Sequence, residues 1–230
     1  MGVAYCGGIF RVKENKVAFI LIPILLIAAI AVYFTMKVPD EVETASSCYS
    51  QATAAVQSQK WEDAKKQLNQ CKLKYQGDGK FDFQLGNVAR MQNQMDQALT
   101  YYLSALGTSP QLIEAYNNAA AIKMLQNKLD DAMSIIEDGL KQKPDYKDLN
   151  FKKGQLLYLK QQYTQVVPLL EPLVGDPEYF EAYRFLGLSQ YKLGQKPQAL
   201  NSLAEYLQKA SPTTQGLQEI ERIVAELKSP

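Results

Sequence analysis

Small residues recur along this chain at one fixed interval, and that interval restricts the fold more than any other feature. Ala52, Gly86, Ala120, Gly154 and Gly187 follow one another at steps of 34, 34, 34 and 33 residues. Ala64, Ala98, Ala132, Val166 and Ala199 repeat the same steps, and Pro110 and Pro144 are again 34 apart. A period of this length, shared by three position classes, marks a stack of supersecondary units. Small residues at two contact positions let antiparallel helices approach closely, while large residues fill the seam within each hairpin and the layer between hairpins. No such unit buries its apolar face alone, so stacking is compulsory. The expectation is an all-α chain: an α-solenoid of five helical hairpins over residues 45–213, divided at 45–78, 79–112, 113–146, 147–179 and 180–213. In the closing stretch Leu217, Ile220, Ile223, Val224 and Leu227 follow helical spacing, so residues 214–230 read as a capping helix and tail.

The pattern resembles the tetratricopeptide repeat. That family places a small residue at repeat position 8, alanine at 20, large residues near 4, 7, 11, 17 and 24, and proline near 32. Phe83-Gln84-Leu85-Gly86-Asn87-Val88-Ala89, Met95-Asp96-Gln97-Ala98-Leu99 and Ser109-Pro110 carry the likeness most fully, followed by Tyr183, Leu186-Gly187, Tyr191, Gly194, Ala199 and Leu203. Repeat one departs from it, with Gln76 at the proline position and Gly77-Asp78-Gly79 as its exit turn. Repeat four departs further, with Val166 in place of alanine, Pro168 and Pro172 in its second helix and one residue fewer. An interior proline removes a backbone hydrogen bond and kinks a helix, so that helix is expected to bend or break.

Ahead of the repeats, Val17 to Met36 is uncharged and apolar. As a helix at about 1.5 Å per residue it spans roughly 30 Å, the thickness of a bilayer's hydrocarbon core. Lys16 and Lys37 bracket it and Tyr33 lies near its end, where amphipathic rings favour the interface. The rival reading is a cleaved signal peptide with Ala29-Ile30-Ala31 as its processing site, but the apolar run continues past that point. The expected order is therefore a cytoplasmic tail (1–16), one N-terminal transmembrane helix (17–36), a linker (37–44) and the repeats. Arg11, Lys13 and Lys16 precede the span and only Lys37 closely follows it. The positive-inside rule then puts the repeats outside the cytoplasm, in the periplasm of a bacterium.

Three cysteines follow from this layout. In the resemblance, Cys48 and Cys71 fall at positions 4 and 27 of repeat one, on facing helices of one hairpin. A disulfide there suits an oxidising compartment; the alternative is two small buried thiols. Cys6, in Tyr5-Cys6-Gly7-Gly8, lies on the other side of the span as a free thiol or an acylation site.

Composition narrows the function. The chain contains no histidine, which removes Ser-His and Cys-His nucleophiles, histidine-ligated haem and most zinc sites. Its 25 basic and 24 acidic side chains balance, so no basic face of the kind that releases nucleic-acid counterions is expected. Neither a cofactor nor a small-molecule substrate is expected. Gly77-Asp78-Gly79 has no following Lys-Ser/Thr and is a turn rather than a phosphate loop. Asp130 and Asp131 suit a helix N-terminus, and Lys147, Lys152 and Lys153 form a small basic cluster.

In the family resembled here, first helices line a concave groove through positions 2, 5, 6, 9, 12 and 13. On this sequence the resemblance assigns the groove to Tyr49, Phe83, Asn87, Arg90, Met91, Asn117, Asn118, Met124, Phe151, Lys152, Tyr158, Arg184, Phe185 and Tyr191. Aromatics, Arg and Met are enriched at protein interfaces, and Asn pairs with an extended backbone; the alternative for each aromatic is packing against neighbouring helices or the membrane. Asn87 and Asn118 match the asparagines of the carboxylate clamp with which some members hold chaperone tails, and Lys152 matches one basic group. Phe83 and Asp148 stand at the other two basic positions, so the clamp is partial. The resemblance implies a non-enzymatic, membrane-tethered scaffold that holds protein partners, as an accessory subunit or as an assembly or chaperone-like factor. A homo-oligomerising structural protein and an enzyme acting on peptide or glycan are the alternatives.

Overall fold

The structure, a computed structural model, describes residues 44–214 and 216–229. The expected tail, span and most of the linker, with Cys6, lie outside the described residues. Among the described residues no helix is long and apolar enough to cross a membrane.

Eleven α-helices follow one another among the described residues. They are α1 (Ala45–Gln57), α2 (Trp61–Lys74), α3 (Lys80–Met91), α4 (Met95–Thr108), α5 (Ile113–Leu125), α6 (Leu129–Gln142), α7 (Lys147–Leu159), α8 (Tyr163–Leu170), α9 (Glu181–Lys192), α10 (Lys196–Lys209) and α11 (Leu217–Lys228). Consecutive helices pair as five hairpins, the second helix of each packs on the first helix of the next, and α11 lies on α10.

The close approach inside a hairpin has a direct steric cause. A Cβ on Gly86 would stand 2.6 Å from Cε1 of the Tyr102 ring, and on Gly154 or Gly187 it would strike Leu170 or Leu203. Repeats one and three carry Ala52 and Ala120 at this place, both fully buried. The hairpin turns repeat as well. Gln59, Asn93, Asn127, Gln161 and Gly194 all have positive φ, between 56° and 73°. In repeat two, Asn93 N–H donates to Arg90 O (3.0 Å) and Gln94 N–H to Ala89 O (2.8 Å). That is the Schellman closure of a helix, and the same pair of bonds ends α1, α5, α7 and α9.

Repeat four breaks where its prolines lie. Its second helix ends at Leu170 with Pro168 inside it, and the chain continues through 3-10 turns at Glu171–Leu173 and Pro177–Tyr179. The other second helices run 14 residues and this one 8. Pro168 has no N–H to give to the turn before it.

The two ends of the stack are closed differently. At the C-terminal end Ile220, Ile223 and Val224 of α11 bury themselves against Leu188, Leu203 and Tyr206. At the N-terminal end no repeat precedes the first hairpin among the described residues, and the sequence changes accordingly. Phe81, Leu85 and Val88, buried in repeat two, have Ser47, Gln51 and Ala54 as their counterparts one period earlier. A shallow depression of about 500 Å³ beside Gln51, Ala54, Lys60 and Gln67 is the surface left exposed there.

Polar staples join the repeats. Asp82, buried in α3, accepts from Lys72 Nζ of α2 (2.6 Å) and from Ser104 Oγ of α4 (2.9 Å), so its carboxylate is satisfied by two elements at once. On the surface, Gln126 donates to Asp96 (2.7 Å) and Lys160 pairs with Asp130, each bond spanning 30 residues. Exposed pairs of this kind contribute a few tenths of a kcal/mol each. Cys48 and Cys71, on α1 and α2, are joined by a disulfide with Cα atoms 5.9 Å apart.

Candidate protein-binding face

The residues assigned to the groove all lie on the first helices of the hairpins. Successive first helices touch: α1 with α3, α5 with α7 and α7 with α9. Between α3 and α5 the bridge is a hydrogen bond from Asn118 Nδ2 to Asn87 Oδ1 (3.4 Å).

That bond belongs to a chain of amides. Gln84 Nε2 donates to the Tyr49 hydroxyl (2.7 Å), and Asn87 Nδ2 donates to Gln84 Oε1 (3.2 Å). The Tyr102 hydroxyl donates to Asn87 Oδ1 (2.8 Å). Burial raises the Tyr102 phenol above its usual pKa, and Arg90 works against that rise. Asn87 is therefore held by its own chain on both sides of its amide. Its Oδ1 has two donors already, so it offers a partner less than a free asparagine would.

A second polar group surrounds Asp148 in repeat four. The Tyr179 hydroxyl donates to Asp148 Oδ1, and Asn117 Nδ2 to Asp148 Oδ2 (3.5 Å). Asn117 Oδ1 is buried with no hydrogen-bond partner. Beside this group lies Lys152, half-buried, whose pKa is lowered by burial against the opposing pull of Asp148. Its neighbours Lys147 and Lys153 are neutralised by Asp176 (2.7 Å) and Glu137 (3.4 Å). Among the described residues Lys152 has no such ion pair.

The aromatics fall into two kinds. Phe151, Tyr158 and Phe185 pack on one another: Phe151–Phe185 ring centroids lie 6.1 Å apart and Tyr158–Phe185 5.5 Å, with Tyr179 at 5.9 Å from Phe151. Phe185 is buried, and the cluster fills the layer between repeats four and five. Phe83 leans on Tyr102 (5.8 Å) and Tyr49 on Phe81 (6.2 Å). Arg184 stacks over the Phe185 ring (4.3 Å) and pairs with Glu181 (2.9 Å). The Tyr191 hydroxyl donates to Glu226 of α11 (3.0 Å). Met124 is half-buried against the repeat-three core, while Arg90 and Met91 are exposed.

Two exposed residues outside the sequence assignment join Met91. Leu125 and Leu159 stand 34 and 68 residues after it and are 77% and 55% exposed, against 57% for Met91. Continuing the Met91 position by the repeat period finds them from sequence alone. Gln84, Tyr102 and Tyr179 complete the polar framework and carry no such signal, because each is fixed by a partner on another element, Tyr49, Asn87 and Asp148 respectively. Among the described residues no group of three or more His, Cys, Asp or Glu is placed to hold a metal.

Residues 49–113 match the family model of the tetratricopeptide repeat. No curated protein matches the chain in sequence. Solved structures match its fold at low identity. YrrB, described as a TPR protein with an unusual peptide-binding site, is 17% identical, with 70% of this chain and 92% of that one covered and a TM-score of 0.58. MamA is 14% identical, with 82% and 97% covered and a TM-score of 0.61. PilW, described as a widely conserved type IV pilus biogenesis factor, is 15% identical, with 80% and 90% covered and a TM-score of 0.59. The family match covers repeats one and two, and the same hairpin architecture continues through the later repeats, so the fold is that of stacked tetratricopeptide-like hairpins.

Proposed function

We propose that the chain is a non-enzymatic, membrane-tethered scaffold that holds protein partners on the face formed by its first helices. The observation that carries this reading is Lys152. A half-buried lysine without an ion pair is costly unless something outside the chain completes it. Asp148, whose charge acts on Lys152, accepts from Asn117, whose Oδ1 is orphaned, and a peptide backbone supplies both donors and acceptors for such groups. The peptide-binding site of YrrB and the part of PilW in type IV pilus biogenesis, in chains of similar fold, favour protein binding by analogy of architecture.

The tether rests on the apolar run Val17 to Met36 and the basic residues before it. An anchor raises the local concentration of the repeats at the membrane and so favours capture of membrane or exported partners. The repeats then lie outside the cytoplasm, where the Cys48–Cys71 bond persists.

The test is a native pull-down of the full chain in mild detergent, with bound proteins identified by mass spectrometry. Partners lost on Lys152→Ala with Asn118→Ala support the reading. A stoichiometric set of membrane proteins identifies an accessory subunit, and a sparse set of exported clients identifies an assembly or chaperone-like factor. Partners that ignore both substitutions refute the assignment of this face. A reporter active only outside the cytoplasm, fused after Pro230, is expected to work; activity of a cytoplasmic reporter instead reverses the topology.

A further inference from the structure

Repeat one carries an exposed leucine where stacking asks for none. Leu73, near the end of α2, is 75% exposed. One and two periods later the same place holds Gly107 and Lys141, so no contact within the stack requires an apolar side chain there. Lysines surround it. Residues 64–80 contain Lys65, Lys66, Lys72, Lys74 and Lys80 against Asp78 alone, in a chain whose 25 basic and 24 acidic side chains balance overall. Glu62 engages Lys65, and Asp82 engages Lys72. Lys66 and Lys74 are exposed. They stand seven residues before Leu73 and one after it, so all three lie on one side of the helix.

We propose that this end of the first hairpin docks on the surface of an anionic bilayer, with Leu73 at the boundary between headgroups and acyl chains and Lys66 and Lys74 on lipid phosphates. The inference goes beyond the protein-binding reading and rests only on its tether. The disulfide fixes the geometry, holding α1 and α2 with the Cα atoms of Cys48 and Cys71 5.9 Å apart. Ala45 opens α1 just before Cys48, and Leu73 comes just after Cys71 near the end of α2. In a hairpin both therefore stand at the same end, where the chain arrives from the anchor. The apolar run ends at Met36, and residues 37–44 span at most about 29 Å when fully extended. A bilayer that holds Val17 to Met36 thus keeps Leu73 within reach, and the tether turns a weak contact into an intramolecular one. Lysine stems lie along apolar surface while their ammonium groups stay at the polar boundary, and an apolar residue flanked by lysines is the composition of an interfacial surface. Each lysine close to an anionic surface favours the docked state about fivefold. An acidic protein surface would match the lysines equally, but only the bilayer is brought there by the chain itself.

The test is tryptophan fluorescence of the full chain in vesicles whose acyl chains are brominated, made of phosphatidylcholine alone or mixed with phosphatidylglycerol. Trp61 is the chain's one tryptophan, so Trp61→Phe gives a dark background. In it, Leu73→Trp is expected to lose emission in the mixed vesicles and to keep it in phosphatidylcholine alone. Adding Lys66→Glu and Lys74→Glu should lower the docked population by more than about 25-fold and restore the emission. Leu125→Trp in the same background is the control; Leu125 is 77% exposed, as open as Leu73, but lies two repeats on at the turn end of its hairpin. It is expected to stay bright in both vesicles, and circular dichroism checks that every variant is folded. Equal quenching at the two positions, quenching that ignores phosphatidylglycerol, or quenching that survives the charge reversal overturns the proposal. If the chain stays in the vesicles through an alkaline carbonate wash while Leu73→Trp remains bright, the tether stands and this docking surface does not. If the wash removes the chain, the tether falls and the docking surface with it.

Discussion

Gly86→Ala sets helix propensity against packing, and the structure decides which wins. Alanine in a helix interior is favoured over glycine by about 1 kcal/mol. In repeat two, however, the added methyl would lie 2.6, 2.7 and 3.2 Å from three atoms of the Tyr102 ring. The ring has little room to retreat. It is fully buried, touches Phe83 and is held by its hydrogen bond to Asn87. Overpacking of this kind costs about 1–3 kcal/mol, so the expected result is a net loss of about 1 kcal/mol. The rescue is written in the sequence: repeat one pairs Ala52 with Leu68, both fully buried. Tyr102→Leu alone removes ring volume and a hydrogen bond, and so destabilises. Combined with Gly86→Ala it reproduces the repeat-one pair, giving a favourable coupling of about 1 kcal/mol. The assay is urea unfolding followed by circular dichroism for the four proteins of the cycle. A stabilised Gly86→Ala variant, or additive effects in the cycle, would refute the steric account. The double variant also separates stability from recognition, because Asn87 loses the donor that orients it even where stability returns.

Reduction of the Cys48–Cys71 bond, whose partners are 23 residues apart, is expected to cost about 3 kcal/mol by the chain-entropy relation. In a stack of units that contact only their neighbours the loss stays local; hydrogen exchange should rise in α1 and α2 and stay unchanged beyond α4. Gln161→Gly relieves a non-glycine residue at φ 59° and should stabilise by about 0.5–1 kcal/mol, seen as a raised urea midpoint, whereas Asn93→Gly should change little. Alkaline pH should weaken the fold through Tyr146, whose pKa rises from 10.0 to about 12 by burial first and then by the charges of Asp148 and Glu114. Its contribution is fully present below pH 10. Between there and about 12 the unfolded chain has released this proton while the folded chain retains it, so stability falls with rising pH. Tyr146→Phe should flatten that fall in urea midpoints compared across the window.

The architecture was legible in the spacing of the residues alone. A solenoid repeats one local solution, so any position that a helix pair must keep small recurs at the repeat length, and Ala52 through Gly187 announce both period and count. Pro168 likewise announced the break in repeat four, because a missing N–H is a property of the residue and needs no partner. The Met91 row was readable too, by extending one position through the period to Leu125 and Leu159. Contacts between repeats emerge only in the folded chain. Asn87 looked like a free groove asparagine; the folded chain spends its amide on Tyr102, Gln84 and Asn118. Phe151, Tyr158 and Phe185 looked like separate anchors and instead pack into one cluster. Lys147, Lys152 and Lys153 looked alike, and only their placement leaves Lys152 alone beside a polar cluster without an ion pair. Periodicity fixes where a side chain sits on its own helix. Which groups it meets depends on the rotation and separation of helices some thirty residues away, and no spacing in the sequence encodes those.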